Sequence, residues 1–210
     1  MARRYRLTAY DIGAPATCRL ERGNIAFAFA QAGEVAIGDR RFAEGDGGFA
    51  RPGDLVASSG CAWLFELAPE GSVIRQGDGL SPVLSRIVTL PEGDFMLRAD
   101  RVGSGAGVRT PAHRHRGPGI RRLLTGLLLA DVGDQLDRVG PGQAWFESGH
   151  ETVIGTNISG AENVFVRLML LPTTLTGGES SFIPANPEEA AKPRAVRLHL
   201  FGECLLAPTV

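Results

Sequence analysis

Two histidines one residue apart, His113-Arg114-His115, carry the most direct chemical meaning in this chain. Successive side chains along a β-strand point to opposite faces, so residues two apart share a face. On a strand the two imidazoles would project side by side into one space, as facial metal coordination requires. The competing reading is a pair of histidines solvated or held by hydrogen bonds, because two imidazoles do not complete a metal site. All four histidines, His113, His115, His150 and His199, fall in the second half of the chain. The first half therefore cannot build an imidazole metal site of its own, and a structural role is expected for it.

Other chemistry has little support. No Walker loop, no G-x-G-x-x-G between strand and helix and no G-x-S-x-G elbow occurs. Ser148 and His150 are near neighbours, but adjacency in sequence does not define a catalytic triad. Cys18, Cys61 and Cys204 are odd in number, widely spaced and lack a C-x-x-C. They argue against a disulfide framework and for a reducing compartment. Arg98 and Asp100 sit two apart, a spacing that suits a paired structural contact. Trp145 and Phe146 read as core and pocket wall.

The elements that must position these residues are strands. Ile25, Phe27 and Phe29 alternate with Ala26, Ala28 and Ala30. Glu34 to Ile37, Gly38-Asp39 and Arg40 to Phe42 read as a hairpin, and Ala62 to Leu67 as another strand. Further strands are expected at 85–90, 94–102, 112–115, 121–124, 127–130, 144–147, 164–171 and 196–201. Short strands separated by Gly-rich turns indicate a sandwich or closed barrel. One helix signal stands out: Asn186 as cap, Pro187 at the first helical position, then Glu188 and Glu189, with Lys192-Pro193 as the stop. Gly33, Gly38-Asp39 and Pro52-Gly53-Asp54 recur in order as Gly126, Gly133-Asp134 and Pro141-Gly142-Gln143, which suggests two copies of one architecture. The linker-like stretch from Glu70 to Pro82 places the boundary. The expected division is 1–80 for a first barrel, 81–175 for a second, and 176–210 for an extension whose strand near Val196–Phe201 returns onto a barrel.

Composition narrows the rest. A formal net charge of −1 over 210 residues gives no general attraction for nucleic acid or for an anionic membrane. Arg3, Arg4 and Arg6 read as a solvated tail. The apolar run from Val164 to Pro172 is interrupted by Arg167 and is too short to span a bilayer. No apolar signal segment is evident at the N-terminus, so a soluble, cytoplasmic protein is the expectation.

The run Gly107-Val108-Arg109-Thr110-Pro111-Ala112-His113-Arg114-His115 resembles the first cupin motif, a glycine followed by five residues and H-x-H, with Gly126 as its closing glycine. Pro141 to Gly149 resembles a variant of the second motif, with Asn157 as its closing asparagine. From Ser85 to Pro193 the chain looks like a group of bacterial bicupin-like proteins; the first half resembles them by architecture only. The resemblance implies an all-β fold of two double-stranded β-helix (cupin) barrels in tandem, with a short C-terminal helix and a tail strand. It also implies a divalent metal (Fe, Mn, Ni or Zn) held by three histidines and a glutamate. Here the chain departs from the pattern. The glutamate four residues after His115 is Gly119, and no histidine stands near Thr152 or Val153. His150 and Glu147 remain as candidates to complete a set with His113 and His115.

If Gly119 points inward, Arg121 does too, by period two. An inward guanidinium stays charged and needs a partner. It could pair with Glu147, or hold a substrate carboxylate through two hydrogen bonds, or, if the register slips by one, point outward. Three functional readings follow. The first is a binding protein that encloses a small acidic or polar metabolite in the second barrel, with Arg121, Trp145 and Glu147 as contacts, with or without a metal. The second is a metal-dependent oxygenase or isomerase acting on a small organic acid. The third is assembly, in which the tail strand pairs two chains as a homodimer.

Overall fold

The computed structural model describes residues 3–77 and 79–206. Asp78 of the expected linker and residues 207–210 of the expected extension lie outside them. The chain forms two compact units, Met1–Glu92 and Gly93–Val210.

The first unit contains β1 (Arg3–Ile12), β2 (Ala16–Arg19), β3 (Ile25–Ala30), β4 (Glu34–Ile37), β5 (Arg40–Ala43), β6 (Gly47–Ala50), β7 (Leu55–Ser58), β8 (Ala62–Pro69) and β9 (Leu80–Leu90). They form a five-stranded sheet, β6-β3-β8-β1-β9, and a four-stranded sheet, β2-β7-β4-β5. The alternation in β3 has a simple outcome. Ala26, Ala28 and Ala30 pack inward with Tyr10, Ile12, Leu64, Val35 and Ile37. The narrow interior takes the small side chains, and Phe27 and Phe29 are buried on the other face.

Two expectations change here. Arg3, Arg4 and Arg6 are not a solvated tail. They sit on β1, which pairs with both β8 and β9, and Arg6 Nη2 donates to the carbonyl of Glu70 at 3.1 Å. The apolar residues that follow, Leu7 and Ala9, are fully buried and draw the arginines into the strand. The expected boundary at residue 80 also differs from the observed one. Leu80–Leu90 pairs along β1, so the division falls after Glu92. Gly77 and Gly79, read as linker, have positive φ and make the tight turn into β9.

The second unit contains β10 (Phe95–Ser104), β11 (His113–His115), β12 (Gly119–Thr125), β13 (Leu128–Val132), β14 (Gln135–Val139), β15 (Ala144–Glu147), β16 (Val153–Asn157), β17 (Asn163–Pro172), β18 (Phe182–Pro184), α1 (Pro187–Ala190) and β19 (Val196–Leu205). Its sheets run β15-β12-β17-β10-β19 and β14-β13-β16-β11-β18. The residues expected as an extension are integral to these sheets, since β18 pairs with β11 and β19 with β10. The Asn186 side chain accepts from the Glu189 amide, as the cap reading required. No disulfide joins Cys18, Cys61 and Cys204. Among the described residues no helix is long and apolar enough to cross a membrane.

Gly149 fixes the turn that leaves β15. Its φ is +88°, and an added Cβ would lie 2.9 Å from the Gly117 carbonyl and 3.0 Å from the His115 oxygen. Gly142 has φ +81° with nothing within 4 Å of such a Cβ. Gly142→Ala is predicted to cost about 1–2 kcal/mol of unfolding free energy from backbone strain alone. Gly149→Ala adds a backbone clash and is predicted to cost on the order of 3 kcal/mol. Urea denaturation of the two variants measures the difference; equal costs would remove the close approach from the account.

Candidate functional site

The histidine pair sits on β11, a strand of three residues held by β16 and β18. His113 and His115 are 6% and 7% exposed, while Arg114 between them is exposed. Their ring centroids are 4.9 Å apart, so both imidazoles share one interior, as the spacing predicted. His113 Nδ1 lies 2.8 Å from the Pro111 carbonyl. A carbonyl can only accept, so Nδ1 carries a proton, and in the neutral ring Nε2 is the bare nitrogen. The ring stacks on Phe182 of β18, centroids 4.5 Å apart. His115 Nδ1 is 3.1 Å from the Ser181 hydroxyl, and its Nε2 is 3.5 Å from Glu147 Oε2.

Arg121 faces the same interior and is fully buried. Its Nη1 donates to the Gly119 carbonyl at 2.7 Å, and its Nη2 lies 2.5 Å from Glu147 Oε2. That contact is ionic but lacks hydrogen-bond geometry, and both atoms are buried with no other hydrogen-bond partner. Glu147 Oε1 accepts from Trp145 Nε1 at 2.9 Å. Beside them, Arg167 forks onto Asp100, with Nε–Oδ1 at 2.5 Å and Nη2–Oδ2 at 3.0 Å. The register explains the cluster. Asp100 lies opposite Arg167, Arg167 opposite Arg121, and Arg121 opposite Trp145 across four neighbouring strands. Burial pushes the Arg121 pKa down to about 10 against the pull of Glu147, so the guanidinium remains charged at neutral pH.

His113, His115, Arg121, Trp145, Glu147, Arg167 and Phe182 line one cavity, in which the volume open to the centre of a water molecule is about 70 Å³. At ~15 Å³ for each water it suits a ligand of a few heavy atoms. Leu128, Ala130, Val153 and Phe165 supply apolar wall. Arg194 stands at the mouth, its guanidinium 4.0 Å from the centre of the Phe182 ring. Its side chain donates to Ser180 Oγ at 3.2 Å and has no acidic partner among the described residues.

His113, His115, Arg121, Trp145 and Glu147 are thus brought together. His150 is not: it is exposed at the turn after β15, its backbone N–H donates to Ser148 Oγ, and it does not line the cavity. The positive φ of Gly149 turns the chain outward before His150 can reach in. Arg98 and Asp100 do not pair with each other; Arg98 binds Glu203 and Asp100 binds Arg167. Phe146 is absent from the cavity wall, because it alternates away from Trp145. Asn157 caps a turn, donating to the carbonyls of Ser104, Gly105 and Ala161. Sequence reasoning missed Arg167, Phe182 and Arg194. The interruption of an apolar run at Arg167 was the one visible signal.

The donor set does not fit a resident metal. No three His, Cys, Asp or Glu side chains converge as a ligand group among the described residues. Glu147, the third candidate donor, is already held by a guanidinium and an indole N–H. A side chain at Gly119 is also barred, since its Cβ would lie 2.6 Å from the Leu168 carbonyl.

No protein-family model matches the chain, and no curated protein matches it in sequence. Solved structures do match in fold. The oxalate decarboxylase of Lactobacillus farciminis in its formate complex aligns with a TM-score of 0.61 at 12% identity, over 91% of this chain and 82% of that one. AerE from Microcystis aeruginosa aligns with a TM-score of 0.55 at 16% identity, over 80% and 87%. The oxalate decarboxylase of Bacillus subtilis, with its Mn(II) centres, aligns with a TM-score of 0.59 at 12% identity, over 91% and 74%. At these identities the likeness is one of fold. The chain is an all-β protein of two double-stranded β-helix barrels in tandem, the cupin fold.

Burial pushes the pKa of both imidazoles down, that of His115 furthest, with the Arg121 and Arg167 guanidiniums adding to the effect at His115. A histidine with a depressed folded pKa stays neutral in the native state. The unfolded chain takes up the proton first, as pH falls through ~6.5. Stability contributed by the neutral rings is complete above that pH and is lost as pH falls below it. The unfolding free energy is predicted to drop between pH 6.5 and 5 by up to about 1.4 kcal/mol per pH unit for each histidine. Urea titrations across this range measure the slope, and His115→Gln is predicted to remove one histidine's share. A flat profile contradicts the neutral, buried pair.

Proposed function

We propose that the second barrel binds a small monocarboxylate with an apolar body. The charge balance of the cavity carries this reading. Arg121 and Arg167 are each offset by a carboxylate, Glu147 and Asp100. The two imidazoles are driven toward neutrality by burial. Arg194 at the mouth is a cation with no acidic partner among the described residues, so the cavity carries a net positive charge. Apolar walls favour a hydrocarbon portion. The bare Nε2 of His113 accepts a ligand hydroxyl or N–H. A dicarboxylate would introduce a second negative charge without a second unpaired cation.

Calorimetry and thermal shift with propionate, isobutyrate and their amides test this reading. The carboxylates are predicted to raise the melting temperature saturably and the amides to leave it unchanged. Arg194→Ala is predicted to weaken carboxylate binding about 10- to 100-fold, the worth of one charge-assisted hydrogen bond, without lowering the melting temperature of the unliganded protein. Elemental analysis addresses the alternative, a metal-dependent oxygenase or isomerase. About one equivalent of iron, manganese, nickel or zinc in purified protein, lost in the His113→Ala/His115→Ala variant, would replace the metal-free binding reading with that one.

A further inference from the structure

The first barrel, expected from its lack of histidine to serve structure alone, encloses a charged site of different chemistry. Glu66 on β8 shares a face with Leu64, which packs in the barrel interior, and it lies opposite Thr8 of β1 and Ala26 of β3. The carboxylate is buried, and its Oε1 accepts from Asn24 Nδ2 at 3.0 Å. Its counterion comes from neither neighbouring strand. Arg75, in the segment joining β8 to β9, reaches inward and places Nη2 2.6 Å from Glu66 Oε1. Nη1 donates to the Arg19 carbonyl and Cys18 Sγ, each at 3.2 Å. The guanidinium carbon lies 5.8 Å from the centre of the Tyr10 ring.

Two features separate this from an ordinary structural ion pair. First, the segment around Arg75 is open to water: Val73 is 84% exposed and Gln76 is exposed, while the Arg75 side chain is 19% exposed. One side chain is inserted from an otherwise solvated loop. Second, donors and acceptors are mismatched. Asn24 Oδ1 and Arg75 Nε are both buried and neither has a hydrogen-bond partner. The Asn24 amide cannot turn over to correct this, because its nitrogen is committed to the Glu66 carboxylate. The site offers a carboxylate, an amide oxygen and an aromatic face, and Arg75 uses only part of it.

We infer that the first barrel carries a recognition site for a small alkylguanidinium compound, built from Glu66, Asn24 and Tyr10, which Arg75 of the same chain occupies until such a molecule displaces it. A free guanidinium is not tied to a backbone, so it can turn to bond Glu66 and Asn24 Oδ1 together. Binding competes with Arg75, whose attachment to the site gives it a high effective concentration. Removal of the Arg75 side chain therefore tightens binding. Displacement removes the Arg75 guanidinium contacts that hold residues 71–77 to the site and leaves the Arg75 N–H, which donates to the Tyr10 hydroxyl at 3.4 Å.

Methylguanidinium chloride is the probe, with tetramethylammonium chloride at equal ionic strength as control. In the wild-type protein, methylguanidinium is predicted to accelerate elastase cleavage near Val73–Ile74 saturably, and tetramethylammonium to leave the rate unchanged. By calorimetry, Arg75→Ala is predicted to bind methylguanidinium at least 10-fold more tightly than wild type, and Arg75→Ala/Glu66→Gln to lose that binding. Circular dichroism establishes that the variants are folded. An unchanged cleavage rate in the wild-type protein overturns the inference by itself, even where a variant does not fold. Equal affinity in wild type and folded Arg75→Ala also overturns it, because the ligand then sits elsewhere.

Discussion

A guanidinium with almost no contact with water must have a counterion within reach, because an isolated buried charge costs several kcal/mol. Arg121 meets that constraint through Glu147, and much else in the second barrel depends on how it does so. The pairing consumes Glu147, the one carboxylate among the described residues that lines the cavity with His113 and His115. The same positive charge, with that of Arg167, helps keep His115 neutral. Gly119 completes the arrangement. It lies opposite Glu147 on the neighbouring strand, where the Leu168 carbonyl leaves no room for a side chain. A barrel whose H-x-H resembles a metal motif is thereby organised around an organic cation, and a metal ion beside His115 would face the repulsion of the Arg121 guanidinium.

The sequence made the architecture readable because period two survives in nearly every strand. Phe27 against Ala28, and His113 and His115 against Arg114, take the faces that alternation assigns. The hairpin at Gly38-Asp39 and the helix capped by Asn186 also form where their turn and cap residues stand. What could not be read depends on partners distant in the chain. The Arg121–Glu147 pair was one of three open alternatives, because choosing among them needs the register of β12 against β15. Phe182 and Arg194 reach the histidines from residues expected to be an extension, and no local pattern reports a strand as short as Phe182–Pro184. The arginines of β1 show the opposite difficulty. Their local composition is that of a tail, and tertiary pairing on both sides overrides it.

The two barrels place a buried arginine against a buried glutamate, but the arginines arrive by different routes. Arg121 belongs to β12, hydrogen-bonded between β15 and β17. Its backbone is held on both sides, so the guanidinium cannot leave the interior unless β12 leaves the sheet. Arg75 belongs to a segment with few backbone bonds. Local opening of such a segment draws on a much smaller free energy than global unfolding, because only the contacts of that segment are lost. The same ion pair is thus a fixed part of the sheet in one barrel and a reversible contact in the other. The secondary structure that carries the cation makes the difference, and it leaves Glu66 as the buried carboxylate whose partner can be exchanged while the barrel stays folded.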